Sequence, residues 1–146
     1  MSHSYVSALF HCTFSTKQRL PLIPETLQDR LWPYLGGIAR ENDMTALEVG
    51  GIEDHAHVLL SLPATMPIAK AIQLLKGGSS KWVHDTFPEH RALAWQEGYG
   101  AFSIGITQVE NTRRYIANQR EHHRRTTYQE EFKAFLKKHG IEYDPR

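Results

Sequence analysis

A chain of 146 residues, 40 % hydrophobic and 23 % charged, has enough apolar material for one ordinary globular core, which excludes a disordered or low-complexity chain. No apolar run reaches the ~20 residues of a membrane span, and MSHSYVSALFHCTFS lacks the basic start and long apolar stretch of a secretory leader. The single cysteine, Cys12, rules out an internal disulfide and makes the cytoplasm the expected compartment; the net charge of +1 says little as a total.

The Pro- or Gly-rich breaks TKQRLPLIPE, SLPATMP and QEGYG are short, so residues 1–146 read as one domain. Tyr5–Phe14 is rich in β-branched and aromatic types and reads as a strand. Leu27, Leu31, Leu35 and Ile38 recur at helical spacing, which predicts a helix over 25–42, with Pro33 and Gly36-Gly37 expected to kink or shorten it. Ala46–Gly51 reads as a strand with Gly50-Gly51 as a turn, and Ala56–Leu62 as the next strand, closed by Pro63.

Pro67–Phe87 is helical again, on an apolar stripe of Ile68, Ala71, Ile72 and Leu75, with a break expected at Gly77-Gly78. Ala101–Val109 alternates around Phe102, Ile104 and Ile106 and reads as a strand. Asn111 is placed to cap a helix over Thr112–His123, and a last helix, Gln129–His139, ends at Gly140. The order β-α-β-β-α-β-α-α predicts an α+β fold: a ferredoxin-like antiparallel sheet with helices packed on one face.

Residues 53–62 read EDHAHVLLSL. On a strand, His55 and His57 point to the same side and can share one cation. Nine histidines in 146 residues give about 0.6 HxH triplets by chance, so the triplet alone reads equally as two polar residues on a half-exposed strand. Between Asn111 and Arg125 lie Arg113, Arg114, Arg120, Arg124 and Arg125 against one acid, Glu121, which reads as a phosphate-binding face or as a solvated helix face. Tyr115 and Gln119, four apart, share a helical face among those arginines.

Four motifs thus stand in order: GGIEDHAHVLLSLP, LLKGGSSKW, GYGAFSIG and YIANQREHH. Together they resemble the single-tyrosine HUH transposases of small bacterial insertion sequences, the TnpA type, and their domesticated palindrome-linked relatives. The resemblance runs from the first strand to the helix of Tyr115. It implies a DNA transposase that cleaves and rejoins single-stranded DNA at hairpin-bearing element ends. Tyr115 would be the nucleophile, forming a 5′-phosphotyrosine, with His55, His57 and Gln119 as metal ligands and the tyrosine helix appended to the ferredoxin-like sheet. It also implies a homodimer in which that helix docks on its own or on the partner's histidines.

A covalent tyrosine intermediate stores the broken bond, so no nucleotide cofactor is expected, in keeping with the lack of a GxxxxGK[ST] loop. Mg²⁺ is the expected cation, with Mn²⁺ as a substitute. Zn²⁺ is disfavoured because the implied third ligand is a carboxamide and no cysteine joins it. Arg113, Arg114 and Arg120 would either lower the Tyr115 pKa or hold the DNA backbone, and Lys76 and Lys81 would contact DNA or simply be exposed. Asp54 reads as a turn residue or as an orienter of a ligand histidine. His11 reads as packed or on the surface, and His122 and His123 as DNA contacts or exposed, although His123, four after Gln119, would reach the metal if the helix persists. Trp82, Trp95 and Tyr99 are candidates for base stacking or for the core.

Two rival readings stay open. A non-catalytic single-stranded nucleic-acid-binding module leaves Tyr115, Gln119 and the HAH unexplained. A metal-dependent phosphodiesterase with a water nucleophile needs further carboxylate or histidine ligands, which the sequence alone does not place.

Overall fold

The computed structural model describes residues 4–143, so both ends of the 1–146 span lie outside it. Strand β1 (Leu9–Ser15) is central. It pairs antiparallel with β3 (His55–Ser61) on one side and with β4 (Gly100–Ile104) on the other, and β2 (Thr45–Ile52) flanks β3. The order β2-β3-β1-β4 is the split βαβ arrangement of a ferredoxin-like sheet. Helices α1 (Glu25–Glu41) and α2 (Ile68–Thr86) provide the two crossovers.

Strand alternation divides the sheet into two chemically different faces. Cys12, Phe14, Ala56, Val58 and Leu60 point into the main core, where they meet Leu27, Leu31 and Leu35 of α1 and Ile72, Leu75 and Val83 of α2. Their neighbours His11, Thr13, His55 and His57 point the opposite way and are buried all the same. Helices α3 (Val109–Ala117), α4 (Gln119–His122) and α5 (Tyr128–Lys138) supply the cover on that side. Helices therefore lie on both faces, with the tyrosine-bearing pair opposite the α1/α2 layer.

Several predicted boundaries move. The first strand starts at Leu9 rather than Tyr5, because Leu9 already faces Ser61 and Ile104, the last residues of both neighbouring strands. Gly50 and Gly51 stay inside β2, and the turn falls at Glu53-Asp54. Strand β4 stops at Ile104; after Gly105 a short 3-10 turn (Ile106–Gln108) leads straight into α3, and Ile106 is left exposed. Asn111 accordingly lies inside α3, where its Oδ1 accepts from the Arg114 guanidinium at 2.6 Å. The predicted 112–123 helix is broken at Asn118, whose ψ of 22° leaves the helical range.

Neither glycine pair breaks its helix. In α1, three buried leucines contribute roughly 2 kcal/mol each, enough to offset about 3 kcal/mol for an exposed Pro33 and about 1 for each glycine. In α2, a Cβ at Gly78 would stand 2.9 Å from Ile38 Cδ1, so this glycine lets the two helices approach.

Two further glycines set the opposite layer. Gly50, His57, Thr13 and Gly100 form one row across the sheet. A Cβ at Gly50 would lie 2.6 Å from the Ile116 carbonyl of α3, and one at Gly100 would lie 2.7 Å from the Phe132 ring of α5. Gly50→Ala should cost about 1–3 kcal/mol in urea unfolding, since backbone must shift to accept the methyl. Gly77→Ala, where nothing lies within 4 Å, should instead gain up to about 1 kcal/mol of helix propensity.

Candidate functional site

The HAH strand presents two imidazoles beneath α3, α4 and α5. His55 Nδ1 is 2.7 Å from Asp54 Oδ1, and its Nε2 faces Gln119 Oε1 at 2.8 Å. His57 Nδ1 is 2.8 Å from His11 Nε2, and its Nε2 faces Glu131 Oε1 at 2.9 Å. Glu131 is buried, and both its oxygens are engaged. Its Oε1 also lies 3.3 Å from His123 Nε2. Its Oε2 accepts the Tyr115 hydroxyl and the Gln119 amide (3.2 Å) and lies 3.4 Å from His122 Nε2.

Local sequence explains each placement. Asp54 and His55 are adjacent at the β2–β3 turn, so the carboxylate orients the ring beside it. Helix α5 starts on a Thr127 capping box: Glu130 N–H donates to Thr127 Oγ1 (3.1 Å) and Thr127 N–H to Glu130 Oε1 (3.0 Å). Phe135 packs edge-on to His11 at 4.8 Å and to Tyr115 at 5.6 Å, fixing the helix over the sheet. Tyr128 lies 4.4 Å from the His55 ring and receives the Thr13 hydroxyl at 3.2 Å.

One ligand atom each from His55, His57, His123 and Glu131 lies within 4.8 Å of the others. Donors about 2.1 Å from a tetrahedral ion stand about 3.4 Å apart, so the spacing suits a single cation. The polar pairing points the same way. His55 stands between two acceptors, Asp54 Oδ1 and Gln119 Oε1, and a neutral ring can donate to only one of them; a cation beside Nε2 would satisfy the other. His123 gives its Nδ1–H to the Thr126 carbonyl, and its buried Nε2, 3.3 Å from Glu131 Oε1, makes no hydrogen bond among the described residues.

Residues 4–119 match the family model described as "Transposase IS200 like". The chain belongs to the IS200-like transposase family. A curated relative, the ISDra2 transposase TnpA of Deinococcus radiodurans, is 27 % identical over 117 residues, covering 77 % of this chain and 84 % of the relative. The fold resembles a crystal structure of a proposed transposase from Deinococcus radiodurans R1 (TM-score 0.65, 22 % identity, 82 % of this chain and 95 % of that one). It also resembles a REP-associated tyrosine transposase solved with a REP hairpin (TM-score 0.61, 14 % identity, 84 % of this chain and 73 % of that one). No described helix is long and apolar enough to cross a membrane.

Within this transposase, Tyr115, His55, His57 and Gln119 come together, and the tyrosine helix meets the histidines of its own chain. The basic residues do not join them. Arg113 reaches Glu48 (3.3 Å) and Glu110 (3.7 Å), Arg114 reaches Asn111, and Arg120 reaches Glu25 (2.9 Å) and Glu53 (3.3 Å). On the far layer, the Lys76 ammonium donates to the Gln96 and Gly98 carbonyls, and Lys81 pairs with Asp85. Trp82 stacks on Tyr34 at 4.1 Å and Trp95 packs edge-on to Phe14 at 4.8 Å, while Tyr99 is the more exposed of the three.

Glu131 is the residue that sequence reasoning missed, and it lies past the family-matched segment. Its signal was present: an acid among Tyr128, Phe132, Phe135 and Leu136 sits on the apolar stripe of α5. Asp54, read first as a turn residue, also orients His55. His11 is a packed histidine that belongs to the network, and His123 is buried in it rather than exposed.

Burial dominates the electrostatics. It pushes His57 down to about 4, against the opposing pull of Glu131, and pushes His11 down to about 3, helped by the neighbouring His57. Burial would raise the Glu131 carboxyl, but His123, His57 and Tyr115 together hold it well below the usual range. Tyr115 is raised, by burial and then by Glu131. Because His11 and His57 stay neutral in the fold, an unfolded chain binds more protons below its pKa near 6.5. Stability present above that pH is therefore lost as pH falls toward 4, by roughly 2 kcal/mol per histidine between pH 6.5 and 5. Urea unfolding of the metal-free protein should show this drop, and a smaller one for His11→Asn.

Proposed function

We propose that this transposase cleaves and rejoins single-stranded DNA through Tyr115. The carrying observation is that one buried carboxylate, Glu131, touches both the Tyr115 hydroxyl and the imidazole of His57. Nucleophile and cation ligands are thereby held in one frame, as phosphoryl transfer requires. The Tyr115 oxygen forms a bond to phosphorus, and the bond from phosphorus to the 3′ oxygen breaks in line. The phenol proton moves to the His122 imidazole beside it, while the Glu131 oxygen holds the hydroxyl in place. The departing 3′ oxygen takes a proton from solvent or from the half-exposed His122, whose Nε2 lies 3.2 Å from the phenol. The product pair is a 5′-phosphotyrosine and a 3′-hydroxyl, and a second 3′-hydroxyl reverses the step to join a new strand.

A divalent cation held by His55, His57 and Gln119 supplies, when bound, a Lewis acid for the scissile phosphate; Mg²⁺ is the expected ion and Mn²⁺ its substitute. Tyr115 borders a cleft of about 310 Å³ that also presents Gln108, Asn111, Thr112, Lys138 and His139, so a strand can approach with Lys138 near its phosphates. Arg113, Arg114 and Arg120 lie on the tyrosine layer; Arg113 and Arg120 can exchange their carboxylate partners, and Arg114 its Asn111 carboxamide, for DNA phosphates. Lys76 and Lys81 would meet only DNA that wraps round to the α2 side. The substrate is a hairpin near an element end. In the single chain the tyrosine helix meets its own histidines, and a homodimer is expected.

His123 and Glu131 also revive a second reading, a phosphodiesterase with a water nucleophile, because they are further ligands of the kind it needs. Labelled single-stranded DNA from the sequences flanking the gene, incubated with Mg²⁺ or Mn²⁺ and run on a denaturing gel, separates the two. A covalent protein–DNA band is expected, absent in Tyr115→Phe and reduced at least tenfold in His57→Ala, on the scale of losing a metal ligand or its partner. Cutting without a covalent band, unchanged in Tyr115→Phe, would establish the water nucleophile instead.

A further inference from the structure

Three imidazoles reach one centre through the same atom. In His55, His57 and His123 the Nδ1 is engaged outside the cluster, by Asp54 (2.7 Å), His11 (2.8 Å) and the Thr126 carbonyl (2.5 Å) respectively. In all three the Nε2 is turned inward, where Glu131 Oε1 lies 2.9 Å from His57, 3.3 Å from His123 and 3.6 Å from His55. An outer acceptor on one ring nitrogen fixes the ring and its tautomer and so aims the other nitrogen at a metal. For a chance cluster of packed histidines nothing requires that the three rings agree.

We propose that His123 and Glu131 complete, with His55 and His57, a three-imidazole, one-carboxylate site that takes a divalent first-row transition-metal ion in preference to Mg²⁺. The proposal rests on the cation-assisted reading above and alters both its ligand set and its expected ion. Gln119 becomes an auxiliary: its oxygen faces His55 Nε2 and its amide N–H donates to Glu131, so it holds two ligands in place beside the ion.

The chemistry of the donors decides the metal. Mg²⁺ demands oxygen ligands and keeps several waters, and three buried imidazole nitrogens offer it little. Mn²⁺, Co²⁺ and Zn²⁺ accept imidazole with rising affinity from Mn²⁺ to Co²⁺, and Zn²⁺ is at home with three histidines and a carboxylate. The sequence-level argument against Zn²⁺ assumed a carboxamide as third ligand. A carboxylate and a third histidine remove its premise. His123, on the turn after α4, and Glu131, on α5, lie after residue 119, where the match to the family model ends.

The test is metal binding by the full chain without DNA, which does not depend on Tyr115 chemistry. Calorimetric titration of the metal-free protein with Zn²⁺, Co²⁺, Mn²⁺ and Mg²⁺ should give one site, with Mg²⁺ weaker than Mn²⁺ by at least about tenfold and Zn²⁺ the tightest. Glu131→Gln and His123→Ala should each weaken Co²⁺ binding by about tenfold to a hundredfold. They should also change the visible spectrum of bound Co²⁺, which reports its ligands directly. Circular dichroism of each variant identifies any that fails to fold, and for such a variant the Co²⁺ spectrum of the parent chain decides, by showing a low-coordinate nitrogen-rich site or a six-coordinate one. Equal affinity for Mg²⁺ and Mn²⁺, or unchanged Co²⁺ binding and spectrum in folded Glu131→Gln and His123→Ala, would overturn the proposal. A missing covalent DNA band with these metal results intact would remove the tyrosine chemistry and leave the site standing.

Discussion

A carboxylate taken out of water must find partners for both oxygens, or it is expelled or protonated. Glu131 meets that requirement with hydrogen bonds from three elements, His57 of β3, Tyr115 of α3 and Gln119 of α4, and His123 lies 3.3 Å from its Oε1. Each partner alone is weakly placed. The phenol sits on a nine-residue helix, and His123 on a chain segment after a four-residue one. Their common demand on one anion turns three loosely attached pieces into a single arrangement. Removing the carboxylate would leave the imidazoles facing one another with nothing between them.

The sheet supplies what that anion needs through its alternation. On β1 and β3, one residue set builds a dry core with α1 and α2, and the intervening set builds the polar cluster. A one-residue slip would drive His55 and His57 into the apolar core, so the large hydrophobic face fixes the register of the chemical one. The row Gly50–His57–Thr13–Gly100 adds the third dimension. Glycine at both ends of the row lets α3 and α5 settle close enough to the backbone for Tyr115 and Glu131 to reach the histidines between them.

Much of this was legible in the sequence, for physical reasons. Period-two and period-3.6 patterns are properties of neighbours along the chain, so the order of elements and the shared face of His55 and His57 could be read directly. The ends of strands could not, because they depend on where a partner strand stops: Tyr5 and Ile106 look as strand-like as Leu9 but have no neighbour to pair with. Pro33 and the glycine pairs were read as breaks on local propensity, and buried leucines and the contact of Gly78 with Ile38 overrule that propensity. Glu131 was missed because its role exists only once α5 lies on the sheet, although an acid within an apolar stripe signals burial without naming the partner. The arginines were visible as a run, but their carboxylate partners on α1, β2 and the β2–β3 turn are contacts between distant segments.

Two adjacent histidines, His122 and His123, stand against the two different oxygens of Glu131. Adjacent residues in an unbroken helix point about 100° apart and do not share a partner. Here α3 ends at Ala117, α4 is a single turn, and His123 already lies beyond it. His122 can therefore turn to the Tyr115 phenol and the Oε2 side of Glu131, while His123 turns to the Oε1 side and the ring of His55. Near the end of α4 the chain thus puts one histidine beside the Tyr115 hydroxyl and the next beside the His55 ring, with one oxygen of Glu131 facing each.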